Sequence, residues 1–281
     1  MKLKKSVVAL FVMTTWASVT VFAQSTTAES ESTLTYNVGL VSDYRYRGIS
    51  QTGRKAALQF GEDYADKSGF YVGNWNSTIE WIKDTADTST VSNQSAKGPL
   101  EMDFYGGYKS SITELIGYDV GLLEYYYPSS NLSGVTNKYN GVSAGFSNAS
   151  STEIYGAVSA GAFTLKFSDS ITNLFGYIGT KNSRYVDISY SLDLSDGWSS
   201  IIHYGNQSMK ASNAAQVTSG VTDYNDFSAS IAKDFGGVVV SGTFIATDWS
   251  KRGSHINDTL FGSGTTNIAG DTVVLGIKKN F

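Results

Sequence analysis

Charged residues at every second position near the start of the chain are the first candidates for chemistry. Asp43, Arg45 and Arg47 stand two residues apart, so in an extended chain their side chains would point to the same side. A guanidinium fork suits carboxylates and phosphates, and fixed charges that line a pore attract or repel permeating ions. The spacing therefore predicts a charged wall that discriminates among polar or charged solutes.

Further acidic residues fall at the same inward parity in later segments that alternate apolar and polar residues. A mostly acidic wall would favour cations or uncharged polar solutes. Alternatively, the two arginines pair with these acids and plug an interior too narrow to conduct, and both interpretations stay open. The predicted inward acids are Asp63, Glu80, Glu101, Asp103, Asp119, Asp187 and Asp226. The first five of them, with Asp43, Arg45 and Arg47, are the candidates for pore lining or constriction.

The segment that must position the first charges is 33–52, which we predict to be a membrane-spanning strand running into a charged turn. Its apolar and small polar residues alternate, which is the two-residue period of a strand. One face would meet lipid and the other a polar lumen, although a sandwich strand of a secreted protein alternates in the same way. The apolar face carries Leu34, Tyr36, Val38 and Leu40, and the same two-residue period places Tyr44 and Tyr46 on that face.

The rest of the chain repeats this pattern in about twelve segments. In the third, Tyr71 and Trp75 fall on the apolar face, opposite Asn74 and Asn76. In the fifth, Glu124 falls on the apolar side, which indicates either a bulge or a position at the outer interface. The pattern predicts an all-β fold, a transmembrane antiparallel β-barrel of about twelve strands with both termini on the periplasmic side. Short turns are predicted at 66–69, 110–116, 160–162, 193–197 and 235–237, with longer loops between them.

The N-terminus predicts export. Three lysines precede an apolar run and a small-residue site at Ala23, so residues 1–23 are predicted to be a signal peptide and 24–32 a flexible lead-in. The barrel is then 33–281, placed in the bacterial outer membrane in contact with its lipid. The terminal Phe281 is the predicted signal for the outer-membrane insertion machinery. With no cysteine, and with 21 basic against 25 acidic residues, the composition argues against disulfides, thiolate chemistry and nucleic-acid binding.

Catalysis is the second class of function to weigh. The chain has only two histidines, His203 and His255. His203 has inward parity but no serine two residues after it, and His255 falls in a polar loop. No metal or cofactor site is predicted, because zinc sites need clustered His and Cys ligands. A third hypothesis is a non-conducting barrel that presents its long surface loops for binding or adhesion.

The segment Val41 to Thr52 resembles the TorF family of porins, the Gcw_chp outer-membrane proteins. The opening block of that family, V-S-D-Y-x-[FY]-R-G-x-S-Q-T, is similar to this segment. The motif A-L-Q-x-G-x-D-Y is similar to Ala57 to Tyr64, and a hairpin ending G-x-Y-x-G-x-W is similar to Gly69 to Trp75. The closing Val273 to Phe281 also fits. The resemblance implies a porin-like channel for passive diffusion of small polar or charged solutes.

Overall fold

The fold is taken from a computed structural model, which describes residues 32–87, 97–134, 136–139, 142–210, 223–249 and 267–281. The predicted signal peptide, residues 24–31 of the lead-in and His255 lie outside these ranges. The strands are β1 (Thr33–Val41), β2 (Arg45–Tyr46), β3 (Ile49–Ser50), β4 (Ala57–Ala65), β5 (Phe70–Thr78), β6 (Leu100–Ser111), β7 (Ile116–Tyr126), β8 (Thr136–Tyr139), β9 (Val142–Gly145), β10 (Ser151–Ala160), β11 (Phe163–Ser170), β12 (Arg184–Asp193), β13 (Trp198–Ser208), β14 (Tyr224–Asp234), β15 (Val238–Thr247) and β16 (Thr272–Asn280). One α-helix, α1 (Trp81–Asp87), follows β5.

Twelve of these strands form one closed antiparallel sheet, in the order β1-β16-β15-β14-β13-β12-β11-β10-β7-β6-β5-β4. β1 pairs with β4 on one side and with β16 on the other. The sheet therefore has no free edge, and the predicted twelve-stranded barrel is confirmed. The short hairpins β2-β3 and β8-β9 stand apart from this wall.

The connections differ in length between the two ends of the barrel. Five short turns stand at one end, together with the start of β1 and the end of β16, and six longer connections stand at the other. We call these the turn end and the loop end. The five turns fall where the sequence predicted them. The periplasmic placement of the turn end stays a prediction.

Apolar side chains cover the outside of the barrel. The exposed fraction reaches 63% for Leu275 and 57% for Val72. A continuous apolar belt of this kind is unfavourable in water and fits the hydrocarbon core of a bilayer, where a closed sheet leaves no unsatisfied edge. The fold is therefore a transmembrane β-barrel. Each wall strand contributes, for example through Leu40, Leu58, Val72, Phe104, Leu122, Val158, Leu165, Ile188, Ile202, Ile231, Phe244 and Leu275. Within the described ranges, no helix is long and apolar enough to cross a membrane.

Two local predictions are decided by the register of the strands. The faces predicted for β5 are inverted: Phe70 and Val72 are exposed to lipid, whereas Tyr71 and Trp75 point inward. The register of β7 with both neighbours is continuous, so Glu124 does not mark a bulge. Glu124 points outward and accepts a hydrogen bond from Thr152 on the neighbouring strand.

Glycines explain why tyrosines fit inside the wall. Tyr71, Gly107, Gly121 and Tyr155 are paired in one row across four strands. The two tyrosine rings lie over the two glycines, and their hydroxyl groups meet. Because glycine has no side chain to displace the rings, aromatic residues can lie flat on the inner wall. An aromatic residue in this sequence therefore does not by itself indicate the lipid face, which is why the prediction for β5 was wrong.

We expect Gly107→Ala to destabilise the barrel. A Cβ atom at this position would lie 2.4 Å from the carbonyl oxygen of Val120 and 2.6 Å from the hydroxyl oxygen of Tyr71. Overpacking of this kind costs about 1–3 kcal/mol. The measurement is the urea midpoint of unfolding of the refolded barrel, followed by tryptophan fluorescence.

The matched control is Gly156→Ala, also within a wall strand. Its Cβ would meet only a methyl group of Val120, at 4.0 Å, so the free energy of unfolding should change by less than about 0.5 kcal/mol. Equal shifts for the two variants would contradict the packing argument.

Candidate functional site

The loop between β1 and β4 folds into the lumen. We call residues 42–56 the inner loop. β1 ends at Val41, and Arg47 and Gly48 have φ angles of 44° and 81°, which turn β2 back onto β3. Tyr44 is 2% exposed and Tyr46 is partly buried. The prediction that both tyrosines face lipid was wrong, because the two-residue count holds only while the strand continues.

Arg45 fixes the shape of the inner loop. Its Nε lies 2.6 Å from the Asp43 carboxylate, and its Nη1 donates to the carbonyl oxygens of Gly48 at 2.9 Å and Ile268 at 2.8 Å. Asp43 also accepts a hydrogen bond from the Ser50 hydroxyl. Burial lowers the pKa of Arg45 below its ordinary value, and the Asp43 charge acts in the opposite direction. The network ties the inner loop to the segment before β16.

Arg47 crosses the lumen to the opposite wall. Its Nη2 donates to both carboxylate oxygens of Glu153 on β10, at 2.9 and 2.8 Å, and its Nη1 donates to Gln207 on β13. The guanidinium carbon lies 4.7 Å from the ring centroid of Tyr46 and 4.1 Å from that of Tyr185. Burial is the largest single effect and lowers the pKa of Arg47, but Glu153 and the surrounding tyrosines together outweigh it, and the pKa stands well above its ordinary value. Arg47 is thus a charged bridge across the interior.

Tyr44 forms a third anchor of the inner loop. Its hydroxyl donates to Glu101 on β6, which also accepts from the Tyr127 hydroxyl at 2.7 Å. Its ring packs edge-on against Trp75, with 5.3 Å between centroids. Burial and the nearby Glu101 charge raise the pKa of Tyr44 well above its ordinary value, so this phenol stays protonated. Beside it, Asp103 is 4% exposed, and its Oδ1 has no hydrogen-bond partner among the described residues.

The lumen is more open towards the turn end. Asp63 accepts a hydrogen bond from Tyr105 at 2.5 Å, and Asp119 accepts one from Tyr71 at 2.6 Å. Both acids are partly exposed, in contrast to the buried Arg45 and Arg47. The interior therefore has a closed half around the inner loop and a polar half that opens to the turn end.

Most of the predicted lumen residues do face the interior. Asp63, Glu101, Asp103, Asp119, Asp187 and Asp226 point inward, and Asp43, Arg45 and Arg47 lie inside the barrel on the inner loop. Glu80 is the exception. It follows the end of β5 at the loop end and forms an ion pair with the exposed Lys55. The inward count was wrong there because the faces of β5 are inverted and the strand ends at Thr78.

Two wall residues that bind Arg47, Glu153 and Gln207, were not predicted from the sequence. Glu153 lies in the strand segment predicted from 153 to 160, and the alternation of β10 gives it inward parity. Its distance from Arg47 in the chain, 106 residues, gave no signal of the contact. Phe281, predicted as the insertion signal, is 70% exposed at the turn end, and its backbone pairs with Tyr36.

His203 is enclosed by its neighbours. Its Nδ1 lies 3.5 Å from Asp226 and its Nε2 lies 3.3 Å from the Tyr185 hydroxyl, which donates to Asp226 at 2.8 Å. The imidazole is 3% exposed. In the part of the chain that the structure describes, no group of three or more His, Cys, Asp or Glu is placed to hold a metal ion. The geometry around His203 is that of a buried polar network on the inner wall.

An aromatic pocket lies at the loop end. It encloses about 440 Å³ of space open to solvent. Phe175, which lines it, has a φ angle of 50° and packs edge-on against Tyr46 and Tyr125. The other aromatic lining residues are Tyr46, Trp81, Tyr177, Tyr224 and Trp249. The inner loop therefore separates the aromatic pocket at the loop end from the charged lumen.

A closed wall, a lipid-facing belt and a charged interior define the chain as a membrane-spanning barrel protein. It belongs to a bacterial protein family of unknown function, Gcw_chp, whose family model matches residues 25–281. No curated protein matches the chain. The TorF name and the porin activity that the resemblance implied stay predictions.

Several solved structures are similar in architecture. LpxR from Salmonella typhimurium is 9% identical, with a TM-score of 0.41 over 88% of this chain and 99% of that one. The outer membrane protein OprD from Pseudomonas aeruginosa is 11% identical, with a TM-score of 0.36 over 88% of this chain and 64% of that one. The outer membrane protein opdK from the same organism is 11% identical, with a TM-score of 0.35 over 81% and 58%. This chain thus spans less than two thirds of the length of the two Pseudomonas proteins.

We expect Glu153→Gln to release the inner loop. The change leaves the buried Arg47 charge without its counter-charge, at a cost of roughly 2–5 kcal/mol. Trypsin should then cleave after Arg47 about tenfold faster or more. Cleavage of the refolded barrel, timed by mass spectrometry, is the measurement.

The control changes the other acid that pairs with this loop. Glu80→Gln removes an ion pair with Lys55, whose side chain is 65% exposed, and such pairs contribute about 0–1 kcal/mol. Its cleavage rate should stay close to that of the unmodified protein. A rate that rises as much as with Glu153→Gln would show that Arg47 does not anchor the loop.

Proposed function

We propose that the protein is a porin-like channel of the bacterial outer membrane for passive diffusion of small polar or charged solutes. The observation that carries the proposal is the contrast between an apolar outer belt and a lumen lined by ionisable side chains. A barrel that served only as an anchor has no need of partly exposed acids such as Asp63 and Asp119 on its inner wall. Recognition of Phe281 by the outer-membrane insertion machinery is part of the same proposal.

The inner loop is the constriction of this channel. Asp43, Arg45 and Arg47 are each 5% exposed or less, so solutes do not pass over them while the loop keeps its contacts. Passage requires either a narrow path beside the loop or a displacement of the loop from Glu153 and Glu101. Loops that restrict a lumen in this way set the size limit of a pore.

A second candidate is a non-conducting barrel that presents its loops for binding or adhesion. The observation that favours it is the bonding of the inner loop, which joins three separate wall positions, Glu101, Glu153 and Gln207. A lipid-modifying enzyme has less support, because His203 is enclosed by Asp226 and Tyr185 and faces away from lipid.

Planar-bilayer conductance separates the first two candidates. The test variant replaces residues 43–54 with a six-residue Gly-Ser linker. The unmodified barrel should show small ohmic steps, and removal of the constriction should raise the unitary conductance roughly threefold or more.

The control is Lys55→Ala combined with Glu80→Ala, which alters the exposed pair beside the loop and should leave the unitary conductance unchanged. Retention of the barrel is checked by its heat-dependent gel mobility. Absence of steps in the unmodified barrel and in the linker variant, in either orientation, would leave the non-conducting barrel as the better account.

The lumen also predicts ion preference. Eight acids and five bases of the described residues lie inside the barrel, so cations should pass more readily than anions. The acids are Asp43, Asp63, Glu101, Asp103, Asp119, Glu153, Asp187 and Asp226, and the bases are Arg45, Arg47, Lys109, Lys166 and Lys278.

We expect Asp103→Asn to lower the potassium-to-chloride permeability ratio roughly twofold, because it removes an inward-facing carboxyl group that has no ion pair among the described residues. The reversal potential in a KCl gradient measures this ratio. Asp169→Asn is the control, since Asp169 pairs with Arg184 on the outer face. A ratio that is insensitive to Asp103→Asn would show that the conduction path does not pass this carboxylate.

A further inference from the structure

A row of paired residues carries charges of both signs along the inner wall. Lys109 on β6 pairs with Asp119 on β7, and through one position on β10 the row reaches Lys166 on β11. Lys166 pairs with Asp187 on β12, and through one position on β13 the row reaches Asp226 on β14. We call these five residues the charged row.

The charged row climbs from one end of the barrel to the other. Lys109 stands two residues from the turn end of β6, whereas Asp226 stands two residues from the loop end of β14. This rise follows from the tilt of strands in a closed barrel, since paired positions on successive strands shift along the axis. The row is partly exposed at Lys109 and Asp119 and buried from Lys166 onwards. It therefore leads from the open half of the lumen to the inner loop.

Lys166 and Asp187 are neighbours at the middle of the row, yet they do not form an ion pair. The Nζ atom of Lys166 lies 4.1 Å from the ring centroid of Tyr155, and no carboxylate of the described residues lies within 4.0 Å of it. The Oδ2 atom of Asp187 has no hydrogen-bond partner in the described ranges. Both residues are 6% exposed.

Such an arrangement points to a ligand. A buried charge is unfavourable unless a group of opposite charge or a hydrogen-bond partner meets it. Here an ammonium group and a carboxylate stand on adjacent strands and both face the lumen. Thr164 and Ser189 form the next inward-facing pair towards the turn end and add hydroxyl groups to the same wall. The Thr164 hydroxyl also has no hydrogen-bond partner among the described residues. A solute that reaches this point meets both charges together.

We propose that Lys166 and Asp187 bind a small zwitterionic solute, one that carries an ammonium and a carboxylate group a few ångströms apart, as free amino acids do. The solute carboxylate faces the Lys166 ammonium, and the solute ammonium faces the Asp187 carboxylate. A simple cation would leave Lys166 without a counter-charge, and a simple anion would leave Asp187 without one. The inference rests on the proposed channel function and names its solute class.

The test is a binding measurement on the purified full-length barrel in detergent, by saturation-transfer NMR with glycine, acetate and methylammonium as probes. Glycine should bind saturably, and about tenfold or more tightly than either singly charged probe. Lys166→Gln and Asp187→Asn should each weaken glycine binding about tenfold. Lys233→Gln is the control, because Lys233 lies on the outside of the wall beside Trp198.

Comparison of the three probes on the unmodified protein keeps the proposal open to refutation even where a variant fails to fold. Acetate or methylammonium binding as tightly as glycine would overturn it, and so would unchanged glycine binding in both variants. Glycine binding by a barrel that shows no conductance would support the site and count against the channel. Conductance without glycine binding would count against the site alone.

Discussion

The pairing of β1 with β16 is the constraint on which the rest of the structure depends. In a bilayer, each backbone amide and carbonyl group needs a partner within the protein, because hydrocarbon offers none. The register from Asn37 opposite Asn280 to Val41 opposite Gly276 closes the sheet and removes both edges. Once the ring is closed, the alternation along each strand assigns one face to lipid and the other to the lumen.

Closure also limits the space inside. Barrels of about eight strands are filled by side chains, and those of about sixteen leave a channel; this wall has twelve. Glycines in the wall make room for large side chains, as where the rings of Tyr71 and Tyr155 lie over Gly107 and Gly121. The inner loop fills the half towards the loop end, and the half towards the turn end keeps its polar wall. The closed half and the open half of the lumen thus both follow from the limited space inside a twelve-stranded wall.

The charges of the interior fall into two groups with different consequences. One group consists of two ion pairs, Arg45 with Asp43 and Arg47 with Glu153. These pairs hold the inner loop and so stabilise a closed arrangement. Asp103, Lys166 and Asp187 face the lumen without ion pairs within the described ranges. In the proposed channel, the first group would set how far the lumen opens, and the second would set which solutes it favours. A channel with a constriction and a selective wall needs both.

Local patterns in the sequence determined much of this architecture. The two-residue period and the spacing of the turns predicted the twelve strands, and inward parity located Asp63, Glu101, Asp103 and Asp119, because alternation within a strand is a local property. Tertiary structure alone decided the faces of β5, the entry of Tyr44 and Tyr46 into the lumen, the outer position of Glu80 and the contact of Arg47 with Glu153. Each of these depends on where a strand ends or on a partner far away in the chain, and a local period carries no information about either.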